Sequence, residues 1–163
     1  MHPEAYLQMG KLLDKWKWGK ANVLDVGSYN VNGTYRGLVM DRGWKYTGID
    51  IVPGPNVDVV VSNPYKFPYL DNVFDIVISG STMEHVKAIW QWVPELARLV
   101  RPEGMLAIIT HTQWMYHPHP VDCWRIMPDG AKYLFDLSGC LTGYEISMYC
   151  STDISMLAWK VGA

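Results

Sequence analysis

Apolar positions along this chain follow two rhythms. Short, nearly unbroken apolar runs alternate with stretches of helical spacing. Five runs are Val23-Leu24-Asp25-Val26, Tyr46-Thr47-Gly48-Ile49-Asp50-Ile51, Val57-Asp58-Val59-Val60-Val61, Phe74-Asp75-Ile76-Val77-Ile78 and Met105-Leu106-Ala107-Ile108-Ile109-Thr110. Their shortness and β-branching predict strands covered on both faces. Glu4 to Trp18 carries Tyr6, Leu7, Leu12, Leu13 and Trp16 among lysines and predicts an amphipathic helix ended by Gly19. Val86, Ile89, Trp90, Val93, Leu96, Ala97 and Val100 predict a helix over 86–100, with Pro94 predicting a kink or restart inside it. Arg101-Pro102-Glu103-Gly104 should end that helix and turn into the fifth strand. Pro128 to Leu137 predicts a further helix, proline in its first turn and Ser138-Gly139 at its end. Tyr144–Tyr149 and Ile154–Val161 read as two last strands. Only a short polar segment with Ser151-Thr152-Asp153 separates them, so they should pair as an antiparallel hairpin.

This order predicts an α/β domain of three layers with a mainly parallel sheet. Ligands of such sheets sit beyond the carboxyl ends of the strands, where strand order reverses. The chemistry is therefore to be sought in the loops after the first five strands.

Composition narrows the choice. The 163 residues suit one domain with a real core. With 49% apolar and 18% charged residues the chain reads as globular, not disordered. A net charge of -2 argues against nucleic acid or an anionic membrane as the main partner. No apolar run is long enough to span a bilayer, and Met1-His2-Pro3-Glu4 lacks the order of a signal peptide. Cys123, Cys140 and Cys150 form no CxxC pair, so a reducing, cytoplasmic setting is expected. Eight Trp, ten Tyr and five His on so short a chain ask for an explanation. Trp16, Trp18, Trp44, Trp90, Trp92 and Trp159 read as packing around the sheet. Lys11, Lys15, Lys17 and Lys20 read as a solvated helix face or a small basic patch.

The first strand runs into Gly27-Ser28-Tyr29-Asn30, which is neither GxGxxG nor a P-loop. Asp50 ends the second strand about twenty residues on, where a carboxylate can accept both hydrogen bonds of a ribose diol. An ordinary turn and a solvated Asp are the plain alternatives. Taken together, Gly27 and Asp50 favour a nucleoside-bearing ligand.

These residues resemble a class I S-adenosylmethionine (SAM) dependent methyltransferase of the small, methyltransferase type 11-like sort. The matching motifs are Val23-Leu24-Asp25-Val26-Gly27, Tyr46-Thr47-Gly48-Ile49-Asp50, Phe67-Pro68 with Asp71-Asn72-Val73-Phe74-Asp75, Met83-Glu84-His85-Val86, and Leu99-Val100-Arg101-Pro102-Glu103-Gly104. The resemblance covers about Val23 to Thr110. It implies a Rossmann-like methyltransferase sandwich, a mostly parallel seven-strand sheet with a C-terminal antiparallel hairpin, as one domain over 1–163. Residues 1–20 would be its N-terminal helix and 111–127 its acceptor-side loop. It implies SAM as cofactor and S-adenosylhomocysteine as product. Asp25, Gly27 and Ser28 would line the methionine portion, Asp50 would bind the ribose, and Ile51 would pack on adenine. Ser62 and Asn63 would lie at the adenine edge, and Ser79-Gly80 would offer backbone groups to the amino-acid end. The chain departs from the family pattern in the glycine loop and in having Asn63 for the usual acid. A dehydrogenase shares the strand order but is disfavoured by the missing GxGxxG and by the closing hairpin.

The acceptor is expected to be a small molecule, and an oxygen nucleophile would call for a general base. His85, after the fourth strand, is the first candidate, beside its plain reading as a helix-capping residue. Glu84 could orient it or touch the acceptor. The most distinctive segment follows the fifth strand: His111-Thr112-Gln113-Trp114-Met115-Tyr116-His117-Pro118-His119-Pro120-Val121-Asp122-Cys123-Trp124-Arg125. Similar small methyltransferases carry Pro-Val-Asp-Cys-Trp-Arg followed by Pro-Asp-Gly, as Pro120–Arg125 and Pro128–Gly130 do here. In this reading His111, His117 or His119 serves as base, Asp122 and Arg125 as polar anchors, and Trp114, Tyr116 and Trp124 as apolar walls. The structural reading has Trp124 and Tyr116 packed under the sheet and Asp122 paired with Arg125. His117, His119, Asp122 and Cys123 are competent metal ligands, but their adjacency is awkward and no metal is expected. Two other functions stand beside the enzyme: a non-catalytic SAM- or nucleoside-binding module, and an RNA or protein methyltransferase. Mild acidity disfavours RNA, and Ser79-Gly80-Ser81-Thr82 stands where N-methyltransferases carry Asn/Asp-Pro-Pro-Tyr/Phe. Acceptor recognition would fall to the first helix, the loop after the fifth strand, or the neighbouring subunit of a homodimer.

Overall fold

The computed structural model describes residues 3–162, and Met1, His2 and Ala163 at the ends of the expected domain lie outside them. Seven strands form one sheet: β1 (Asn22–Val26), β2 (Lys45–Asp50), β3 (Val59–Val60), β4 (Phe74–Gly80), β5 (Val100–His111), β6 (Leu141–Met148) and β7 (Asp153–Lys160). Their order across the sheet is β3-β2-β1-β4-β5-β7-β6. The first five run parallel, and β7 pairs antiparallel with both β5 and β6. Strand order reverses between β1 and β4, so a crevice opens at their carboxyl ends.

Both faces of the sheet are covered, which is why its central strands read as unbroken apolar runs. One face carries α3 (Ile89–Leu99) and α4 (Pro128–Asp136), packing Trp92, Leu96 and Phe135 onto Leu24, Ile49 and Leu106. The other carries α1 (Pro3–Leu13) and α2 (Arg36–Met40), packing Met9, Leu13 and Val39 onto Val23, Ile76 and Leu157.

Several boundaries differ from expectation. The first helix ends at Leu13, not Trp18, and tighter turns carry the chain to a buried Trp16. Trp18 is half exposed, its ring against Trp16 and Trp159, and Trp90 is half exposed as well. The third strand shrinks to two residues at the sheet edge, after Asn56 at φ 72°. The helix expected from Val86 starts at Ile89, because Met83–His85 forms a 3-10 turn and Val86 is extended. It then runs through Pro94 without a restart. Arg101–Gly104 belongs to β5 as an irregular start, with a register shift against β4 and Glu103 at φ 62°. The short α2 had no counterpart in the sequence pattern.

Candidate active site

The crevice is built from the ends of β1, β2 and β4. Gly27 leaves β1 at φ 79°, and a Cβ there would stand 2.1 Å from the Thr82 hydroxyl. Only glycine serves at this close approach. The Gly27 and Ser28 amides donate to Ile49 O, which pins the turn to the end of β2. Ser28 is buried, its hydroxyl donating to Asn56 O. Asp25 is buried one residue pair earlier, accepting a 2.6 Å bond from the Tyr46 hydroxyl. Burial raises its carboxyl to about 7, against the opposing Tyr46 bond and the nearby Arg36.

Asp50 ends β2 partly exposed. It accepts from the Tyr29 and Val52 amides, one on each oxygen. Each oxygen keeps a second lone pair for an incoming donor. Ile51 beside it is half exposed. Ser62 and Asn63 are exposed, and the Asn63 side-chain carbonyl accepts from Tyr65 N in its own turn. Ser79 is fully buried and donates to Val26 O, so it ties β4 to β1 and does not face the crevice. Gly80 does line it, with Asp25, Gly27, Ser28 and the 29–35 loop around about 90 Å³.

Tyr35 was not foreseen. Its hydroxyl is buried without a hydrogen-bond partner. It lies on Gly80, where a Cβ would meet it at 2.2 Å. Burial and the carboxylates of Asp25, Asp153 and Glu84 push its ionisation up. The hydroxyl therefore remains a donor, set between the crevice and a second group of polar residues.

That second group sits at the ends of β4, β5 and β7. Glu84 is fully buried in the 3-10 turn, Oε2 accepting from the Thr110 hydroxyl at 2.8 Å. Its Oε1 has no hydrogen bond and lies 3.3 Å from His111 Nε2 and 3.9 Å from His85 Nε2. His85 Nδ1 lies 2.6 Å from Val121 O, so it carries the hydrogen and Nε2 holds the open lone pair. His111 is buried, with Nδ1 2.6 Å from Asp153 Oδ1 and its ring stacked on Trp114. His117 Nδ1 faces Met115 O at 3.0 Å and Asp122 Oδ2 at 3.2 Å. Ring centroids of His85 and His117 are 5.0 Å apart, and exposed His119 stands 6.0 Å from His85. Four of the five histidines thus gather in one place.

Asp122 and Arg125 pair with each other and hold the loop, as the structural reading of this segment expected. Arg125 makes a two-pronged pair with the buried Asp122 carboxylate and also donates to the carbonyls of Trp114, Met115 and Trp124. The guanidinium keeps the Asp122 carboxyl well below the usual range. Trp124 donates to Val86 O and packs on the core, its ring edge-on to Trp90. Tyr116 is largely exposed, and with Trp114 and Met115 forms an apolar rim instead of packing under the sheet. Cys123 is exposed.

Comparison with known proteins agrees with this architecture. The family model for a methyltransferase domain matches residues 24–108, just over half the chain. An uncharacterized methyltransferase of Mycobacterium avium is 30% identical over 119 residues, covering 63% of this chain and 46% of that protein. The chain spans less than half the length of the first such relatives. A SAM-dependent methyltransferase from Archaeoglobus fulgidus superposes with a TM-score of 0.75 at 14% identity, over 95% of this chain and 92% of that one. The Burkholderia thailandensis 1,6-didemethyltoxoflavin-N1-methyltransferase, solved with its acceptor and S-adenosylhomocysteine, gives 0.70 at 18% identity, over 98% and 77%. At such identities the likeness is one of fold. The family match, the strand order and the switch-point crevice together place the chain: it belongs to the methyltransferase domain family.

Proposed function

We propose that this domain transfers a methyl group from SAM to an oxygen of a small-molecule acceptor. The observation that carries the reading is the nearness of two sites, the switch-point crevice and the imidazole group: buried Tyr35 lines the first and lies within electrostatic reach of Glu84 and Asp153 in the second. The donor set suits the cofactor. Asp50 offers free lone pairs to a ribose diol, and the Tyr35 hydroxyl is an unused buried donor for the amino-acid end. Gly27 and Gly80 keep backbone close to that end. When bound, SAM supplies an electrophilic methyl on a sulfonium.

The chain's own part is placement and proton handling. Placement alone can supply much of the barrier reduction. His85 Nε2, its tautomer set by Val121 O, accepts the hydrogen of an acceptor hydroxyl. His117 stands beside it as the second candidate, and His111 is held between two carboxylates where it shapes the site floor. Trp114, Met115 and Tyr116 offer the acceptor an apolar rim.

Calorimetric titration with SAM and S-adenosylhomocysteine tests the cofactor half, with binding in the micromolar range expected. No heat at millimolar concentration would overturn it. Methyl-labelled SAM incubated with pools of hydroxylated and aminated small molecules tests the acceptor half. Label on oxygen is expected; label on nitrogen alone would overturn the oxygen assignment, and binding without any turnover would favour a non-catalytic module.

A further inference from the structure

We infer that Glu84, His85 and His117 form a binding site for one divalent transition-metal ion. The ligand atoms of these three side chains all lie within 4.8 Å of one another. They are not the set that adjacency in the sequence suggested. Asp122 is consumed by Arg125 and Cys123 faces solvent, while Glu84 and His85 arrive from a different loop.

Four observations point to a cation. First, Glu84 is fully buried and its Oε1 carries no hydrogen bond, facing the ring nitrogens of His111 at 3.3 Å and His85 at 3.9 Å. A buried carboxylate oxygen without a hydrogen bond is poorly compensated, and a metal ion would cover it. Second, Glu84 Oε2 is held by the Thr110 hydroxyl, which turns Oε1 toward the imidazoles. Third, each histidine is oriented from behind. His85 Nδ1 donates to Val121 O, and His117 Nδ1 faces Met115 O and Asp122. Ligating histidines are fixed this way, with the second ring nitrogen turned to the metal. Fourth, the His85 and His117 rings meet edge to face with centroids 5.0 Å apart, and their ligand atoms lie within 4.8 Å of Glu84.

Two imidazoles and one carboxylate are the donor set of three-ligand catalytic sites for zinc and of facial iron(II) sites. Two ligands on one such ion stand roughly 3.3 Å apart. His85 Nε2 and Glu84 Oε1 stand 3.9 Å apart and the three ligand atoms lie within 4.8 Å of one another, so side-chain rotations have to draw them in on a bound ion. His85 and His117 keep one-sixth and one-quarter of their side chains exposed, which leaves an open position for water or an acceptor oxygen. A bound ion takes the lone pair of His85 Nε2. His85 would then be a ligand and not the base: the ion would hold the acceptor oxygen and lower its pKa, and the released proton would leave to water at the open face of the site. Metal binding itself does not depend on methyl transfer.

The test is direct. Purified protein is stripped with EDTA, dialysed, and titrated with ZnCl₂ by calorimetry and with CoCl₂ by visible absorption. One ion per chain is expected, with cobalt bands of a four- or five-coordinate centre. Glu84→Gln and His117→Ala should each weaken Zn²⁺ binding by about 100-fold or more, while His119→Ala should leave it nearly unchanged. Circular dichroism and S-adenosylhomocysteine binding, read on the same samples, report folding and the cofactor site separately. Retained S-adenosylhomocysteine binding with no stoichiometric Zn²⁺ or Co²⁺ would overturn the metal site and leave the proposed function standing. Zn²⁺ binding that survives in both variants would overturn the ligand assignment.

Discussion

His111 Nδ1 lies 2.6 Å from Asp153 Oδ1, a contact between the last residue of β5 and the first of β7. The two residues are cross-strand partners and both are buried. The pair therefore fixes the hairpin to the sheet at the point where the imidazole group begins. Asp153 also accepts from the Tyr149 hydroxyl, so the connection before β7 is drawn into the same knot. A hydrogen bond to a charged acceptor contributes about 1.5–3 kcal/mol, and His111 keeps the Glu84 carboxylate at 3.3 Å when Asp153 is removed. Asp153→Ala should lose that much in urea denaturation and about 5 °C in Tm. Asp153→Asn should lose less, because an amide oxygen still accepts a hydrogen bond. A loss below about 1 kcal/mol in the alanine variant would show that the pair does not anchor the hairpin.

Asp25 gives stability a pH dependence of unusual sign for an acid. The unfolded chain releases this proton near pH 3.8 and the folded chain near 7. Between those values the folded protein binds the extra proton, so stability falls as pH rises through the window and is level above it. The interval is on the order of 4 kcal/mol. Asp25→Asn should abolish this slope while keeping an acceptor for the Tyr46 hydroxyl. Urea denaturation of both proteins at pH 4 and pH 8 should show the variant gaining on the wild type at the higher pH. Parallel pH profiles would show that Asp25 is not the titrating group.

The sheet was legible because burial on both faces writes itself as short β-branched runs. Leu24, Val77 and Leu106 needed no tertiary knowledge to be placed in strands. The α2 helix was not legible, since of its five residues only Val39 is buried and no period can show. At the site, Asp50 was readable from its distance beyond the glycine turn. Tyr35 was not, because its character comes from Gly80 and from carboxylates that include Glu84 and Asp153, far away in sequence. Asp122 and Arg125 admitted both an anchoring and a structural reading. The carbonyls of Trp114 and Met115 take up further guanidinium donors, contacts that no residue spacing could announce. Glu84 offered no sign in the sequence that one oxygen would be held by Thr110 and the other turned to the imidazoles.

Asp50 is the residue by which cofactor affinity should be set. Hydrogen bonds to a charged acceptor contribute about 1.5–3 kcal/mol. Asp50→Ala should therefore weaken S-adenosylhomocysteine binding roughly 10- to 100-fold by calorimetry. The fold should survive, because this side chain is partly exposed and caps only the Tyr29 and Val52 amides. Unchanged affinity would place the ribose elsewhere.

Arg125 should separate acceptor handling from cofactor binding. Its guanidinium spans the Asp122 carboxylate and three loop carbonyls, and none of these groups lines the crevice. Arg125→Ala frees the 112–127 loop and leaves a buried carboxylate without its partner. A reacting group displaced by an ångström costs about 100-fold. The variant should lose about that much in kcat/KM for an acceptor found in the labelled-methyl screen, with S-adenosylhomocysteine affinity unchanged. Arg125→Lys should not restore it, since a single ammonium cannot match the planar fork that holds Asp122 and the carbonyls together. Full turnover in the alanine variant would remove this loop from the acceptor side of the site. An equal loss in cofactor affinity would mean instead that the loop supports the crevice.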